Sequence, residues 1–202
     1  MKLIQWLSRL FAGSPAGRPP TSQKSSSPSS ASSTSAPSIK PEASVAKSYP
    51  EQKLRTPNVS AKPIKPEAIV LHHSGGSYAG GVSWIRNPKS RVSYHVLVAQ
   101  DGRRTVFAEP TQRTWHAGKS EWRGRKDLNS WSIGASFAGD TYAEPLTEQA
   151  MASMVEYLLP LIKKYGLTLN SVTDHRTVSP GRKDDLNPKE LARFKSYLSK
   201  LL

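Results

Sequence analysis

Two segments far apart in the 202-residue sequence carry side chains that could bind a metal ion. The first, Ile69–Ser74, contains His72 and His73, and the second, Asp174–Asp185, contains His175 and ends in two acids. Two imidazoles and a carboxylate are the donor set of an open catalytic zinc site. The sequence has no cysteine, which excludes a closed site built from thiolates. This combination indicates an enzyme.

Strand geometry limits the first segment to one ligand. The apolar run Ala68–Leu71 is rich in branched residues and predicts a buried strand that leads into a loop at Gly75. Consecutive side chains of a strand point to opposite faces, so His72 and His73 cannot easily bind the same ion. One of them is therefore a ligand candidate, and the other is expected to pack or to form hydrogen bonds elsewhere.

The second segment can bring two donors together through a turn. His175 lies ten residues before Asp185, and Pro180-Gly181 between them favours a turn that directs both side chains to one point. Together with one histidine of the first segment, they predict a three-ligand site with an open fourth position.

The remaining patterns predict the elements that must hold these segments. Val92–Val98 and Thr105–Ala108 are expected to form a hairpin, because the turn sequence Gln100-Asp101-Gly102 lies between them. Further strands are predicted at residues 131–137 and 172–173. Strands and helices mix along one chain, so we expect an α/β fold with a mixed central β-sheet flanked by α-helices.

Two helices are predicted in the last third of the chain. Apolar residues at helical spacing run from Thr147, a suitable N-cap, to Tyr165, with Gly166 just past the end. Pro160 is expected to kink or shorten this helix. A final helix should begin at Asn187-Pro188, with asparagine as the cap and proline in the first turn.

The first third of the chain has a different composition. Residues 13–63 are dominated by Ser, Pro, Ala and Lys, which bury too little apolar surface to offset the entropy of ordering, and so predict a disordered linker. Residues 1–12 form a short cationic amphipathic segment suited to contact with an anionic membrane. A single catalytic domain is therefore expected at residues 64–202.

The positive charge of the chain is concentrated near its beginning. The formal net charge is +14, of which residues 1–66 hold +8, from ten Lys and Arg against two acids. Basic proteins concentrate on polyanions such as teichoic acid, lipopolysaccharide, anionic membranes and nucleic acid. The sequence lacks the aromatic-basic platform or recognition helix of nucleic-acid binders, so nucleic acid is not expected as a partner.

Five short motifs follow one another between about residues 64 and 200. They are Ile69-Val-Leu-His-His-Ser74, Val92-Ser-Tyr-His-Val-Leu-Val98, Trp115-His-Ala-Gly118, Asn129-x-x-Ser-Ile-Gly134 and His175-Arg-x-x-x-Pro-Gly-Arg-Lys-x-Asp185. In this order they resemble the type 2 N-acetylmuramoyl-L-alanine amidases. That zinc superfamily includes phage lysozyme-type amidases, bacterial anhydromuramyl-peptide amidases and peptidoglycan recognition proteins.

The resemblance implies a ligand set for one Zn²⁺ ion. In this family the ligand is the first residue of the His-His pair, which makes His72, His175 and Asp185 the expected ligands. Many relatives have cysteine at the third position, whereas aspartate here offers a harder oxygen donor that zinc accepts. Asp184 is the competing candidate for that position.

The resemblance also implies catalytic and substrate-binding residues. Lys183 and Tyr94 match the catalytic pair of the family. A zinc-bound water can have a pKa near ~7 and a free tyrosine about 10, so Tyr94 is expected to hydrogen-bond the water or relay its proton. Lys183 is expected to stabilise the oxyanion. Trp115 and His116 are expected to line the substrate groove.

Some relatives use a glutamate, on the strand that follows Ser-Ile-Gly, in place of the tyrosine. This chain has Ser136 near that point and keeps Tyr94, which favours the tyrosine variant.

The predicted function is zinc-dependent hydrolysis of the amide between N-acetylmuramic acid and L-alanine of peptidoglycan, by a monomer that acts at the bacterial cell wall. A phage-type endolysin and an envelope-associated amidase both suit the basic linker, which would give the domain reach towards the wall. The alternatives are a non-catalytic peptidoglycan-binding module and a recycling amidase for soluble anhydromuropeptides. The complete ligand set favours catalysis over the binding module.

Overall fold

A six-stranded mixed sheet organises residues 49–202, the part of the chain that the computed structural model describes. The strands are β1 (Glu51–Lys53), β2 (Val59–Pro63), β3 (Ala68–His73), β4 (Val96–Val98), β5 (Arg104–Val106), β6 (Gln112–Thr114), β7 (Glu121–Trp122), β8 (Arg125–Lys126), β9 (Ser132–Phe137) and β10 (Val172–Asp174). The central sheet has the order β1-β5-β4-β9-β3-β10. Strands β2 and β6 form one small antiparallel pair, and β7 and β8 form another.

The middle of the sheet is parallel and one side is antiparallel. Strands β4, β9, β3 and β10 run parallel to one another, so their carboxyl ends meet at the same edge. Strand β5 pairs antiparallel with β4, which confirms the predicted hairpin, and β1 then pairs parallel with β5. The predicted fold class, a mixed sheet flanked by helices, is confirmed.

Within the described part of the chain, four α-helices cover the two faces of the sheet. They are α1 (Tyr78–Arg86), α2 (Glu148–Tyr165), α3 (His175–Val178) and α4 (Pro188–Ser199). Helices α2 and α4 pack on the face that carries Ile69, Leu71 and Ile133, and form the largest buried apolar cluster with it. None of the helices within residues 49–202 combines the length and the apolar character needed to cross a membrane.

The helix caps follow the sequence closely. The side chain of Thr147 accepts a hydrogen bond from the amide of Ala150, and Gly166 ends α2 in the left-handed conformation. Helix α2 continues through Pro160 to Tyr165, so the expectation that this proline shortens the helix is wrong. Pro160 is exposed, so its ring lies on the solvent side of the helix.

The second face of the sheet carries a smaller apolar layer. Ala68 and Val70 of β3 pack there against Leu128, Trp131 and Val178. Alternate side chains of a strand share one face, so the side chain of His72 lies on the same face as those of Ala68 and Val70. The side of the sheet opposite α2 and α4 therefore receives the first histidine of the His-His pair.

Two predicted boundaries need correction. Residues 51–63 were expected in the linker, but they form β1 and β2, which pair with β5 and β6 of the domain. Their pairing depends on distant strands rather than on apolar content of their own, so composition does not reveal it. The predicted strand 92–98 is regular only at Val96–Val98. The amphipathic segment 1–12, and the predicted linker as far as residue 48, lie outside the described residues.

Candidate metal and catalytic site

The two histidine-bearing segments meet because their strands are parallel neighbours. Strand β10 pairs with β3 in a register that sets Asp174 opposite Leu71, so the next residues, His175 and His72, emerge side by side. Asp174 also caps α3, since its carboxylate accepts a hydrogen bond of 2.9 Å from the amide of Thr177. The end of one strand and the start of one short helix therefore position the two imidazoles.

Three donor atoms converge at this edge of the sheet. The Nδ1 atoms of His72 and His175 are 3.1 Å apart, and Oδ2 of Asp185 lies 3.1 Å and 3.2 Å from them. All three side chains are buried, with exposed fractions of 0%, 4% and 6% for His72, His175 and Asp185. Together they form a group that could hold a metal ion.

The electrostatics of the group favour the protonation states of metal ligands. Burial and the charge of His175 together lower the pKa of His72 to about 4, against the opposing effect of Asp185. Burial alone would raise the pKa of Asp185, but the hydrogen bonds and charges of the two histidines outweigh it and hold this pKa far below its usual range. A neutral imidazole and an ionised carboxylate are the forms that bind cations.

The competing candidates lie elsewhere. His73 points to the opposite face, as the strand argument predicts, and its Nδ1 lies 2.8 Å from Oγ1 of Thr141. Asp184 is exposed, and its carbonyl oxygen accepts a hydrogen bond of 3.0 Å from the hydroxyl of Tyr142. Neither side chain belongs to the group of three donors.

Tyr94 lies beside the donor group. Its ring centroid is 4.9 Å from that of His72, whose register partner on β9 is Ser136. Burial raises the pKa of the Tyr94 phenol, and the charge of Asp185 raises it further. The phenol is therefore a proton donor at neutral pH.

Lys183 is half-buried on the loop that leads from α3 to Asp185. Its amide donates a hydrogen bond of 3.1 Å to the carbonyl of Ser179, which fixes the loop backbone two residues before the acidic donor. Its positive charge contributes to the low pKa of His72, so the ammonium group lies within electrostatic range of the donor group.

His116 occupies a different place from the one predicted. The expectation that it lines the substrate groove is corrected, because the side chain is only 4% exposed and lies behind His72. Its Nδ1 is 3.1 Å from Nε2 of His72. Trp115 is half-buried and donates its indole N–H to Oγ of Ser60 at 3.1 Å, so its contact with substrate stays a prediction.

Sequence reasoning missed the groups that support the histidines from behind. The carbonyl oxygen of Ala117 lies 3.1 Å from Nε2 of His175, and the carboxamide oxygen of Asn129 accepts the amides of His116 and Ala117. The motif Trp115–Gly118 was the available signal. It did not reveal these roles, because a carbonyl oxygen has no signature in a sequence.

The fold has clear counterparts among solved structures. A crystal structure of a selenomethionine derivative of AmpD aligns with a TM-score of 0.63 and 25% identity over 75% of this chain and 94% of that one. A complex of AmiD from E. coli, 24% identical over 64% of this chain and 57% of that one, aligns with a TM-score of 0.55. This second likeness establishes the fold only.

Sequence comparison identifies the family. The family model described as N-acetylmuramoyl-L-alanine amidase, Amidase_2, matches residues 62–188, which is more than half of the chain. The chain belongs to this family. The 1,6-anhydro-N-acetylmuramyl-L-alanine amidase AmpD of Citrobacter freundii is 34% identical over 124 residues, which are 60% of this chain and 63% of that protein. The match thus spans less than two thirds of the length of this curated relative.

Proposed function

We propose that this protein is a zinc-dependent amidase that hydrolyses the bond between N-acetylmuramic acid and L-alanine in peptidoglycan. The observation that carries the proposal is the convergence of three buried donors, from His72, His175 and Asp185, in a member of the amidase family. Two imidazoles and one carboxylate are the protein ligands of a catalytic zinc site that keeps one position open.

The spacing of the donors suits zinc. A tetrahedral ion about 2.0–2.1 Å from each ligand separates the ligand atoms by roughly 3.3 Å. The three distances among the donor atoms are 3.1, 3.1 and 3.2 Å. Three lone pairs this close repel one another unless a cation or a shared proton lies among them. The residues therefore fit the ion.

The neighbouring side chains would divide the rest of the chemistry. When bound, zinc supplies a Lewis acid that polarises the scissile carbonyl and increases the acidity of water. We assign Lys183 to the stabilisation of the negative charge that develops on the carbonyl oxygen. We assign Tyr94, whose phenol is held protonated, to orient the attacking water through a hydrogen bond rather than to remove its proton as a base.

Intact peptidoglycan is the proposed substrate. The net charge of +14 favours an anionic polymeric envelope over a small diffusing fragment, because fixed positive charge concentrates a protein on polyanions. Soluble anhydromuropeptides are the second candidate, which is favoured by the 1,6-anhydro-N-acetylmuramyl-L-alanine specificity in the name of the Citrobacter freundii relative. Both substrates contain the same scissile amide.

Product analysis tests the proposal. Zinc-loaded protein should release stem peptides with a free L-alanine amino group from purified sacculi, as seen by mass spectrometry, and faster than from anhydromuropeptides at equal amide concentration. His72→Ala and Asp185→Ala should lose both zinc and cleavage, whereas Asp184→Ala should keep both. Zinc-bound wild type that cleaves neither substrate, or a metal-free double variant with full turnover, would contradict the proposal.

Two expectations about partners complete the proposal. The chain is expected to act as a monomer, which light scattering after gel filtration can measure. Residues 1–12 are expected to bind an anionic membrane, so deletion of these residues should reduce co-sedimentation with anionic vesicles and leave binding to neutral vesicles unchanged.

A further inference from the structure

One loop contacts the rear of both histidines of the donor group. Each histidine directs Nδ1 to Asp185 and turns its other ring nitrogen, Nε2, towards Trp115–Gly118. Nε2 of His72 lies 3.1 Å from Nδ1 of His116, and Nε2 of His175 lies 3.1 Å from the carbonyl oxygen of Ala117. We call residues 115–118 the backing loop.

The contact of His175 has only one possible direction. A carbonyl oxygen accepts hydrogen bonds and cannot donate, so Nε2 of His175 carries the proton and Nδ1 carries the lone pair. Nη2 of Arg182 also lies 3.3 Å from this nitrogen, but it makes shorter contacts of 2.6 Å with Ala117 O, 2.7 Å with Ser179 Oγ and 3.0 Å with Lys119 O. Three closer acceptors therefore share the two hydrogens of Nη2, and none is left for the nitrogen of His175.

The contact of His72 obtains its direction from a chain of hydrogen bonds that ends at a carbonyl. Ser132 donates its only hydroxyl hydrogen to the carbonyl oxygen of Leu128 at 2.6 Å, so its Oγ must accept from Nε2 of His116 at 3.3 Å. Nδ1 of His116 is then an acceptor for Nε2–H of His72. Nδ1 of His72 is left with its lone pair facing His175 and Asp185.

Groups outside the donor set hold the backing loop in place. Oδ1 of Asn129 accepts the amide hydrogens of His116 at 3.0 Å and of Ala117 at 2.8 Å. Asn129 is itself buried. The loop therefore presents one side-chain acceptor and one backbone acceptor at fixed positions.

We propose that His116 and the carbonyl of Ala117 are positioning groups, which fix both ligand histidines as the tautomers that offer Nδ1 to the metal. This inference rests on the proposed zinc centre. A hydrogen-bond acceptor behind a histidine ligand fixes the orientation and tautomer of the ring, and its loss typically weakens metal binding about 10- to 100-fold.

Matched variants of similar shape test the role of His116. His116→Leu removes the acceptor, whereas His116→Asn keeps an acceptor oxygen near the position of Nδ1. In the full-length protein, zinc affinity is measured by competition with a chromophoric chelator, and the urea midpoint of the metal-free protein is measured in parallel. We expect His116→Leu to bind zinc about 10- to 100-fold more weakly and His116→Asn to recover most of that loss. The two variants should have similar metal-free midpoints.

Other outcomes separate this inference from the proposed function. Equal zinc affinity in wild type and His116→Leu would overturn the inference and leave the amidase proposal intact. An equal loss of affinity in both variants, with an equal loss of metal-free stability, would reduce His116 to a packing residue. A wild type that binds no zinc would overturn both proposals.

A measurement on the wild type needs no variant. In the zinc-loaded protein, long-range ¹H–¹⁵N correlation spectra report which ring nitrogen of each histidine carries hydrogen. We expect His72, His116 and His175 to carry it on Nε2. A proton on Nδ1 of His116 would overturn the direction of the chain from His72 to Ser132.

Discussion

The imidazole of His116 fills the space beside Gly134. A methyl group on Gly134 would lie 2.7 Å from Cβ of His116 and closer still to Cγ. Gly134 is in the buried strand β9, next to the one that carries His72. The third residue of the Ser-Ile-Gly motif is therefore a glycine because a neighbouring ring occupies the place of its side chain.

Gly134→Ala should displace His116 and strain the core. Overpacking a buried site typically costs about 1–3 kcal/mol, so the free energy of unfolding of the metal-free protein should fall by that amount in urea titrations. Zinc affinity should fall as well, since the displaced ring no longer supports His72.

Gly76→Ala is the matched control for this substitution. A methyl group at Gly76 has no heavy atom within 4 Å to meet, so its effect on unfolding should stay within about 0.5 kcal/mol. If Gly134→Ala unfolds and binds zinc like wild type, the close packing of His116 on this strand does not matter to the site.

The third donor can be tested by giving it a spectroscopic signature. Asp185→Cys replaces the carboxylate by a thiolate, a softer ligand that catalytic and structural zinc sites also use. With Co²⁺ in place of zinc, this variant should show a sulfur-to-cobalt charge-transfer band that is absent from wild type. Asp184→Cys should show none, because Asp184 is exposed and outside the donor group. The reverse pattern would make Asp184 the ligand.

Lys183 should matter for turnover and not for metal content. Loss of one group that stabilises an oxyanion typically lowers kcat about 10²- to 10³-fold, which is the expected effect of Lys183→Ala on muropeptide cleavage. Zinc per chain, measured by atomic emission, should stay at the wild-type value. The exposed Lys119 provides a charge-matched control, so Lys119→Ala should keep near wild-type kcat. Loss of zinc from Lys183→Ala would show that the lysine supports the ligand loop instead.

Local patterns predicted the elements whose signals are local. Strand alternation separated His72 from His73, and the cap residues Thr147, Gly166 and Asn187 marked helix ends that the structure reproduces. Each of these features depends on the backbone geometry of a few consecutive residues. These features can therefore be predicted from the sequence alone.

Features that depend on distant partners were not predictable in this way. Strand β1 consists of exposed residues and exists because its backbone pairs with β5. The amide of Ser93 donates a hydrogen bond to the carbonyl of Trp115, and the hydroxyl of Ser93 donates one to the carbonyl of Asn58. These two contacts replace regular strand pairing at this residue. The burial of His116 likewise depends on Asn129. No local window of sequence contains these contacts.

Acid should destabilise the fold partly through His95. Burial lowers the pKa of His95 to about 4, against the opposing hydrogen bonds with Gln112 and Gly134. The folded protein keeps this ring neutral, whereas the unfolded chain protonates it below about pH 6.5. The free energy of unfolding is therefore unaffected above that pH and falls between about pH 6.5 and 4, by at most about 1.4 kcal/mol per pH unit for this residue.

Urea titrations of metal-free protein between pH 7.5 and 5 measure this effect. His95→Gln lacks the titrating group, so its free energy of unfolding should fall less steeply than that of wild type. The other buried histidines contribute to both slopes alike. Parallel curves would show that His95 has the same pKa in the folded and the unfolded protein, and would contradict this prediction.

The segment before the predicted domain boundary should contribute to stability. Arg104 is buried, and its Nε donates a hydrogen bond of 2.8 Å to Glu51 on β1, while Nη2 donates one of 3.0 Å to Glu156 on α2. The guanidinium therefore joins the first strand to a core helix. A fragment of residues 64–202 loses Glu51 together with β1 and β2, and leaves part of this cation without a partner.

Hydrogen bonds to charged groups typically contribute about 1.5–3 kcal/mol, so residues 64–202 should unfold at least that much more easily in urea than residues 49–202. Glu51→Gln within residues 49–202 keeps both strands and removes only the charge, so it should fall between the two. If the two fragments are equally stable, the domain begins at residue 64, as the sequence predicts. If Glu51→Gln is as stable as unsubstituted residues 49–202 while the shorter fragment is destabilised, strand pairing rather than the ion pair with Arg104 provides the stability.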